Sequence, residues 1–160
     1  MTDADVLARL QRLEDLEEIR TLKAQYCAGC DADHDSAILL PLFVEDAVWD
    51  FKGTARCEGH DQIRQFMDDL RASGRIRNSA HMVTNPQIDI DGDRAKAHWR
   101  FVMIYTGHVG DGTVQFHRII GYYEDELVKR DGKWYFQSLT PNVEESDSYP
   151  VIENLIGTKM

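Results

Sequence analysis

The chain has 160 residues, 42% of them hydrophobic and 29% charged, the composition of an ordinary soluble globular domain able to bury a sizeable core. A formal net charge of −10 argues against nucleic acid or an anionic membrane surface as partner, because both are polyanions. There is no long uncharged apolar run to cross a bilayer, and no basic-then-apolar leader; three cysteines without an export signal point to reduced thiols in the cytoplasm.

Apolar residues at Val6, Leu10, Leu13, Leu16, Ile19, Leu22 and Tyr26 recur every three or four positions, which predicts one buried face of a long N-terminal helix. Gly29, followed by Asp31, Asp33, His34 and Asp35, is expected to stop it. Tyr26 then lies on the core-facing stripe, and Asp31 lies where the chain leaves the helix. Residues 36–43 read as a short apolar element with Asp35 or Ser36 as N-cap, kept short by Pro41. Residues 47–51 read as a strand, and residues 59–72 return to helical spacing through Ile63, Phe66, Met67 and Leu70.

The second half changes period. Asp91-Gly92, Asp111-Gly112 and Asp131-Gly132 are hairpin-turn signals, because glycine accepts positive φ without steric cost. Between them, residues 81–90, 95–106, 114–129 and 133–139 are rich in strand-forming side chains, predicting a four-stranded antiparallel meander curved around the helices. Pro86 fits an edge position or a bulge. Beyond Pro141 the chain reads as a polar tail, regaining apolar residues over 149–156, a segment placed to cap a pocket or reach a neighbouring subunit. Helices followed by a run of strands imply an α+β fold with helices on one face of a sheet. No boundary, repeat or low-complexity segment divides residues 1–160.

Period-two alternation separates Trp99, Phe101, Met103 and Tyr105 from His98, Arg100, Val102 and Ile104 on the two faces of one strand. His117 and Arg118 are adjacent, so only one of them faces inward; His117 is kept as a pocket candidate. Cys27-Ala28-Gly29-Cys30 has CxxC spacing but sits at the C-terminal end of a helix, the wrong end for a stabilised thiolate. With Cys57, His34 and His60 scattered, no zinc pattern emerges, and both cysteines read as small core residues. The cluster Asp31, Asp33, His34, Asp35 has groups that could bind a cation, but it reads rather as a solvated loop. There is no phosphate-binding glycine loop and no serine nucleophile elbow.

The N-terminal helix ending Ile-x-x-Leu-x-x-x-Tyr-x-x-x-x-Asp (Ile19, Leu22, Tyr26, Asp31) resembles the SnoaL-like branch of the NTF2-like cone folds. So do His81 opening the first long strand within Ala80-His81-Met82-Val83-Thr84-Asn85-Pro86, the run from Gly121 to Leu127, and Arg130-Asp131-Gly132-Lys133-Trp134-Tyr135. Within that branch the chain is most similar to bile-acid 7α-dehydratase, scytalone dehydratase and the lindane dehydrochlorinase. The resemblance implies an NTF2-like cone, an α+β barrel with N-terminal helices packed on a strongly curved, mostly antiparallel sheet, as a single domain over residues 1–160. It also implies a cofactor-free, metal-free lyase assembled as a homo-oligomer, a trimer or a dimer.

By position, Tyr26, Asp31 and His81 match the tyrosine, aspartate and histidine of the bile-acid dehydratase. Met103 stands where that enzyme has an aspartate, and Val143 where it has an arginine. The alignment turns the Met103 face inward, so Trp99, Phe101, Met103 and Tyr105, with Trp49, Phe51 and His117, are expected to line a pocket for a small hydrophobic cyclic or polycyclic substrate. Elimination beside a carbonyl needs a base on carbon, and neutral imidazole suits it because its unperturbed pKa of about 6.5 lies near working pH. A carboxylate on the other ring nitrogen fixes the tautomer, the role expected of Asp31, and Tyr26 is expected to donate to the leaving group or a developing oxyanion. Taken singly, Tyr26 reads as core and Asp31 as a helix end; together, at the family spacing, they read as a functional trio with His81. The alternatives are an isomerase or cyclase on the same residues, a non-catalytic ligand-binding module, and a relative of aromatic-ring hydroxylase β-subunits.

Overall fold

The computed structural model describes residues 2–108 and 113–150. Helix α1 (Asp3–Asp31) leads into the short α2 (Ser36–Leu39), a 3-10 turn (Leu40–Leu42), β1 (Phe43–Phe51), β2 (Ala55–Glu58) and α3 (Gly59–Ser73). Four long strands follow, β3 (Arg77–Asp91), β4 (Arg94–His108), β5 (Val114–Arg130) and β6 (Lys133–Pro150). The sheet runs β2-β1-β6-β5-β4-β3, antiparallel throughout except for the β1–β6 pair. β2 and β3 are its two edges, so the curled sheet does not close on itself. This is the expected α+β cone, with three helices against one face of the sheet.

Local chemistry sets the element ends. Thr2 caps α1 through a reciprocal pair with Asp5: Asp5 N donates to Thr2 Oγ1 at 3.2 Å and Thr2 N to Asp5 Oδ2 at 2.8 Å. The Asp35 carboxylate accepts from Ala37 N and starts α2, and Pro41 occupies the first turn of the 3-10 segment, where its missing N–H is not needed. Gly74 ends α3 with φ of 59°. Asp131 and Gly132 both have positive φ (50° and 79°), as a two-residue hairpin requires, and Gly92 (57°) serves the β3–β4 turn. The Asp111-Gly112 turn and residues 151–156 of the C-terminal segment lie outside the described residues.

Three details depart from the sequence reading, while Pro86 follows it. Gly29 does not stop α1: it is helical and buried, and a Cβ there would press on Leu39, so its role is the close approach of α1 and α2. Positive φ falls instead on Asp33 (63°) and His34 (54°). The apolar stripe of α1 is covered only from Leu16 onward; Val6, Leu10 and Leu13 are exposed, because the 29-residue helix reaches beyond the sheet it packs on. The segment after Pro141 continues β6, paired with β5 out to Gln115 opposite Pro150. Pro141 fits because β1 pairs with β6 only as far as Leu139, so its missing N–H leaves no β1 bond unmade. Pro86 lies in edge strand β3 at a register shift between Thr84 and Gln87, with Asn85 at φ 52°.

The inner face of the sheet is fixed by continuous β4–β5 register: Trp99 faces Tyr123, Phe101 faces Gly121, Met103 faces Ile119 and Tyr105 faces His117. His81 is the partner of Met103 on the other side, which places it on the same face. Gly121 is required there, since a Cβ would collide with the Asn142 carbonyl and the Phe101 ring. A polar clamp holds α1 against the hairpin of β5 and β6. Asp15 accepts from Lys129 Nζ (2.6 Å) and Trp134 Nε1 (3.0 Å), and Glu18 accepts from Trp134 N (2.9 Å). With Trp134 and Phe136 wholly buried beneath it, this end of the helix cannot shift without exposing about 1.5–3 kcal/mol of apolar burial per large side chain.

Candidate active site

The end of α1 delivers Asp31 to the start of β3, where it is saturated with donors. Ser79 Oγ donates to Asp31 Oδ1 at 2.9 Å, His81 N donates to Oδ1 and Oδ2 at 3.1 and 3.0 Å, and His81 Nδ1 lies 2.6 Å from Oδ1. Burial raises the Asp31 carboxyl, but the bonds from His81 and Ser79 outweigh it and hold the group below its ordinary value. The carboxylate is therefore ionised at neutral pH and an acceptor only, so Nδ1 carries a proton, and in the neutral imidazole the lone pair lies on Nε2. The His81 side chain is only 6% exposed. Asp31 thus does more than end its helix.

Tyr26 sits one turn deeper. Its hydroxyl accepts from Trp49 Nε1 at 2.9 Å, and its ring meets Phe43, Tyr123 and Phe136 edge-on, with centroids 5.8–6.2 Å apart. Burial pushes the phenol well above its ordinary value, so it stays protonated. Having accepted from Trp49, the hydroxyl keeps its proton to give, and the Cys30 thiol stands beside it. Cys30, His34 and His81 converge in turn, with one ligand atom from each within 4.8 Å of the others.

His34 corrects the solvated-loop reading of residues 31–35. It is buried against His81, ring centroids 5.9 Å apart, and burial with the neighbouring imidazole lowers its pKa to about 4. Two successive left-handed residues turn the chain back on itself there, and His34 N bonds Cys30 O at 3.0 Å, keeping helical spacing between the two side chains. The i, i+4 relation of Cys30 and His34 was the available signal.

Trp49, Trp99, Phe101 and Met103 are all part of the buried core, with Phe51 and Tyr105 half-buried against it. Trp49 packs on Phe66 at 4.8 Å. His117 is on the Tyr105 face and stacks on that ring at 4.5 Å, while its Nδ1 meets Ser148 Oγ at 2.8 Å. Arg118 points the other way, to Asp147 and Glu145. His98 and Arg100 are likewise on the outer face, stacked on Tyr122 and paired with Glu144. A depression of about 660 Å³ on that outer face is lined by Gln87, His98, Glu124, Glu126 and Thr140, away from His81. Cys27 and Cys30 are buried, and burial pushes both thiols up, Cys27 to about 11, as expected of core cysteines.

Lys23 and Asp125 are missing from the sequence reading. They form an ion pair of 3.0 Å with neither side chain exposed, the ammonium lying 3.3 Å from the Tyr123 ring centroid. Burial lowers the lysine and raises the aspartate, each only partly offset by its partner. Both stand in phase with the buried pattern, Lys23 between Ile19 and Tyr26, and Asp125 between Tyr123 and Leu127, where a charge is a signal in itself. Among the described residues, Asp125 Oδ1 and Trp99 Nε1 make no hydrogen bond of good geometry, though Trp99 is near enough to help hold the Asp125 carboxyl down.

A family model described as a SnoaL-like domain matches residues 11–140. Among solved structures, the chain is similar to a hexachlorocyclohexane dehydrochlorinase, LinA type 2, at 20% identity and a TM-score of 0.80, over 90% of this chain and 95% of that one. It is similar to a candidate aromatic ring hydroxylase from Novosphingobium aromaticivorans at 26% identity and TM-score 0.75, over 89% and 96%. It is also similar to a candidate scytalone dehydratase from the same organism at 22% identity and TM-score 0.76, over 94% and 98%. No curated protein matches the chain. Among the described residues, no helix is long and apolar enough to cross a membrane.

Proposed function

Because the chain belongs to the SnoaL-like domain family, we propose that it is a lyase of the dehydratase type, acting on a small hydrophobic cyclic substrate with no cofactor. The observation that carries this reading is the 2.6 Å contact between His81 Nδ1 and an ionised Asp31, which leaves Nε2 as a base inside a nearly buried side chain. Nε2 removes a proton from the carbon beside an activating carbonyl. Asp31 holds the tautomer and stabilises the imidazolium that forms. The imidazolium returns that proton to the departing hydroxyl, which leaves as water. Tyr26, kept protonated by burial, donates a hydrogen bond to the charge developing on oxygen. General acid/base chemistry supplies roughly 10²–10⁴-fold, so positioning must supply the remainder.

Tyr105, His117 and Ile119 are half-buried inner-face positions around His81, so they form the wall that a substrate meets first, with Met103 behind them. The exposed Val6, Leu10 and Leu13 support a homo-oligomer, a trimer or a dimer, in which a second copy covers the start of α1. Three unpaired, buried cysteines fit the reducing cytoplasm. The test is turnover of hydroxylated cyclic ketones and steroid-like acids, followed by formation of the conjugated alkene. Loss of turnover in His81→Ala with an intact fold is the predicted result, and unchanged turnover rejects the base.

Similarity to an aromatic ring hydroxylase favours a second reading, a subunit of a metal-bearing oxygenase. That reading requires a larger partner to co-purify, whereas the lyase works alone. Isomerisation by the same base differs only in retaining every substituent, and mass analysis of the product separates it from elimination.

A further inference from the structure

We propose that Cys30, His34 and His81 form a binding site for a single zinc-class divalent ion, at the point where α1 meets β3. The three ligand atoms lie within 4.8 Å of one another. In a tetrahedral site of two nitrogens and one sulfur, with Zn–N of about 2.0–2.1 Å and Zn–S of about 2.3 Å, they are about 3.3–3.6 Å apart. The difference is within the reach of small side-chain rotations. Thiolate with two imidazoles is a donor set that selects borderline-soft ions such as Zn²⁺ or Co²⁺ over Mg²⁺ or Ca²⁺.

The surroundings match what a metal site needs beyond its ligands. Asp31 bonds His81 Nδ1 at 2.6 Å, which leaves Nε2 as the ring nitrogen able to ligate and supplies the carboxylate–histidine–metal arrangement. The Tyr26 hydroxyl stands beside the Cys30 sulfur and can donate to the thiolate. The His34 side chain is buried, and its ring meets His81 edge-on. A left-handed backbone (φ 54°) holds this imidazole under cover beside the other two ligand atoms. Entry is from the side where His81 meets Asp31, a residue that is exposed.

Binding replaces the Cys30 S–H bond with an S–metal bond and releases the thiol proton to solvent. Three protein ligands leave the fourth position for water or a substrate oxygen. The ion occupies the Nε2 lone pair that the elimination uses, so the metal-bound and base-active forms exclude each other.

The test is spectroscopic and independent of turnover. The full-length chain, reduced and freed of metal, is titrated anaerobically with Co²⁺. The predicted result is one equivalent bound, with the visible bands of tetrahedral cobalt, a sulfur-to-cobalt charge-transfer band, and displacement of both by one equivalent of Zn²⁺. Cys30→Ser removes the charge-transfer band. His34→Gln weakens binding by more than the roughly 10–100-fold that loss of an outer-shell partner costs, and Asp31→Asn weakens it within that range. If Cys30→Ser does not fold, His34→Gln decides, because glutamine keeps a polar side chain of similar reach at that position. Absence of a charge-transfer band in the parent chain, its persistence in folded Cys30→Ser, or unchanged affinity in His34→Gln overturns the site.

Discussion

Replacing Lys23 by methionine leaves Asp125 without its partner in a place that no water reaches from outside, since both side chains are wholly buried. An ion pair of 3.0 Å in such a setting returns little net stability, because desolvation of two charges offsets most of their attraction. Removing one member is a different matter: the uncompensated group costs about 3–5 kcal/mol, and here the contact of the ammonium with the Tyr123 ring is lost as well. For a chain of this size that is a fall in Tm of about 6–20 °C. Asp125→Leu should cost a similar amount. The double variant Lys23→Met/Asp125→Leu, which removes both charges and keeps most of the volume, should recover most or all of the loss. Urea unfolding of the four proteins at pH 7, followed by far-UV circular dichroism, measures the cycle. A single-variant loss below about 1 kcal/mol, the range of an exposed pair, would refute the reasoning, as would additive losses in the double variant.

Trp49→Phe deletes the donor to the Tyr26 hydroxyl while keeping an aromatic ring against Phe66; denaturant melts should show a loss of about 1–3 kcal/mol, and no loss would mean the phenol finds another partner. Gly121→Ala should destabilise by at least about 2 kcal/mol, since its methyl group would strike the Asn142 carbonyl at the β5–β6 bulge, and a crystal structure of the variant should show that bulge displaced. Acid stability should depend on Asp15. Burial raises its carboxyl, but hydrogen bonds from Lys129 and Trp134 together hold it below its ordinary value. A depressed folded-state pKa contributes stability that is complete above the unfolded value of about 3.9 and lost as pH falls through the folded value. Asp15→Asn should therefore flatten the stability profile in that acidic window; an unchanged profile would remove the clamp as a cause of acid unfolding.

The parts of the fold visible in the sequence are those written in local periodicity. Alternation placed Trp99, Phe101, Met103 and Tyr105 on one face, and Asp131-Gly132 marked a hairpin whose backbone needs two positive φ values. The length of β6 was hidden, because Pro141 and the polar run after it look like a tail; only the unpaired β1 side of that strand makes proline tolerable. The exposure of Val6, Leu10 and Leu13 was equally hidden, since helical spacing says that a stripe exists and not how far the sheet extends beneath it. At the site, the spacing of Tyr26, Asp31 and His81 was legible only through family resemblance, whereas the donors converging on Asp31 come from tertiary geometry. His34 reads in the sequence as a loop residue, and only a left-handed turn after the helix brings it under cover beside Cys30. Lys23 and Asp125 were in phase with buried neighbours and would have been found by asking which charges fall on inward positions.

The central claim is that His81 Nε2, oriented by Asp31, takes a proton from carbon. Incubating cyclic ketones with the protein in heavy water and following deuterium incorporation beside the carbonyl by mass spectrometry tests it without requiring a leaving group. The account predicts exchange by the parent chain that is lost in a folded His81→Gln variant and reduced in Asp31→Asn. Equal exchange by parent and His81→Gln across a panel on which the parent is active would contradict it.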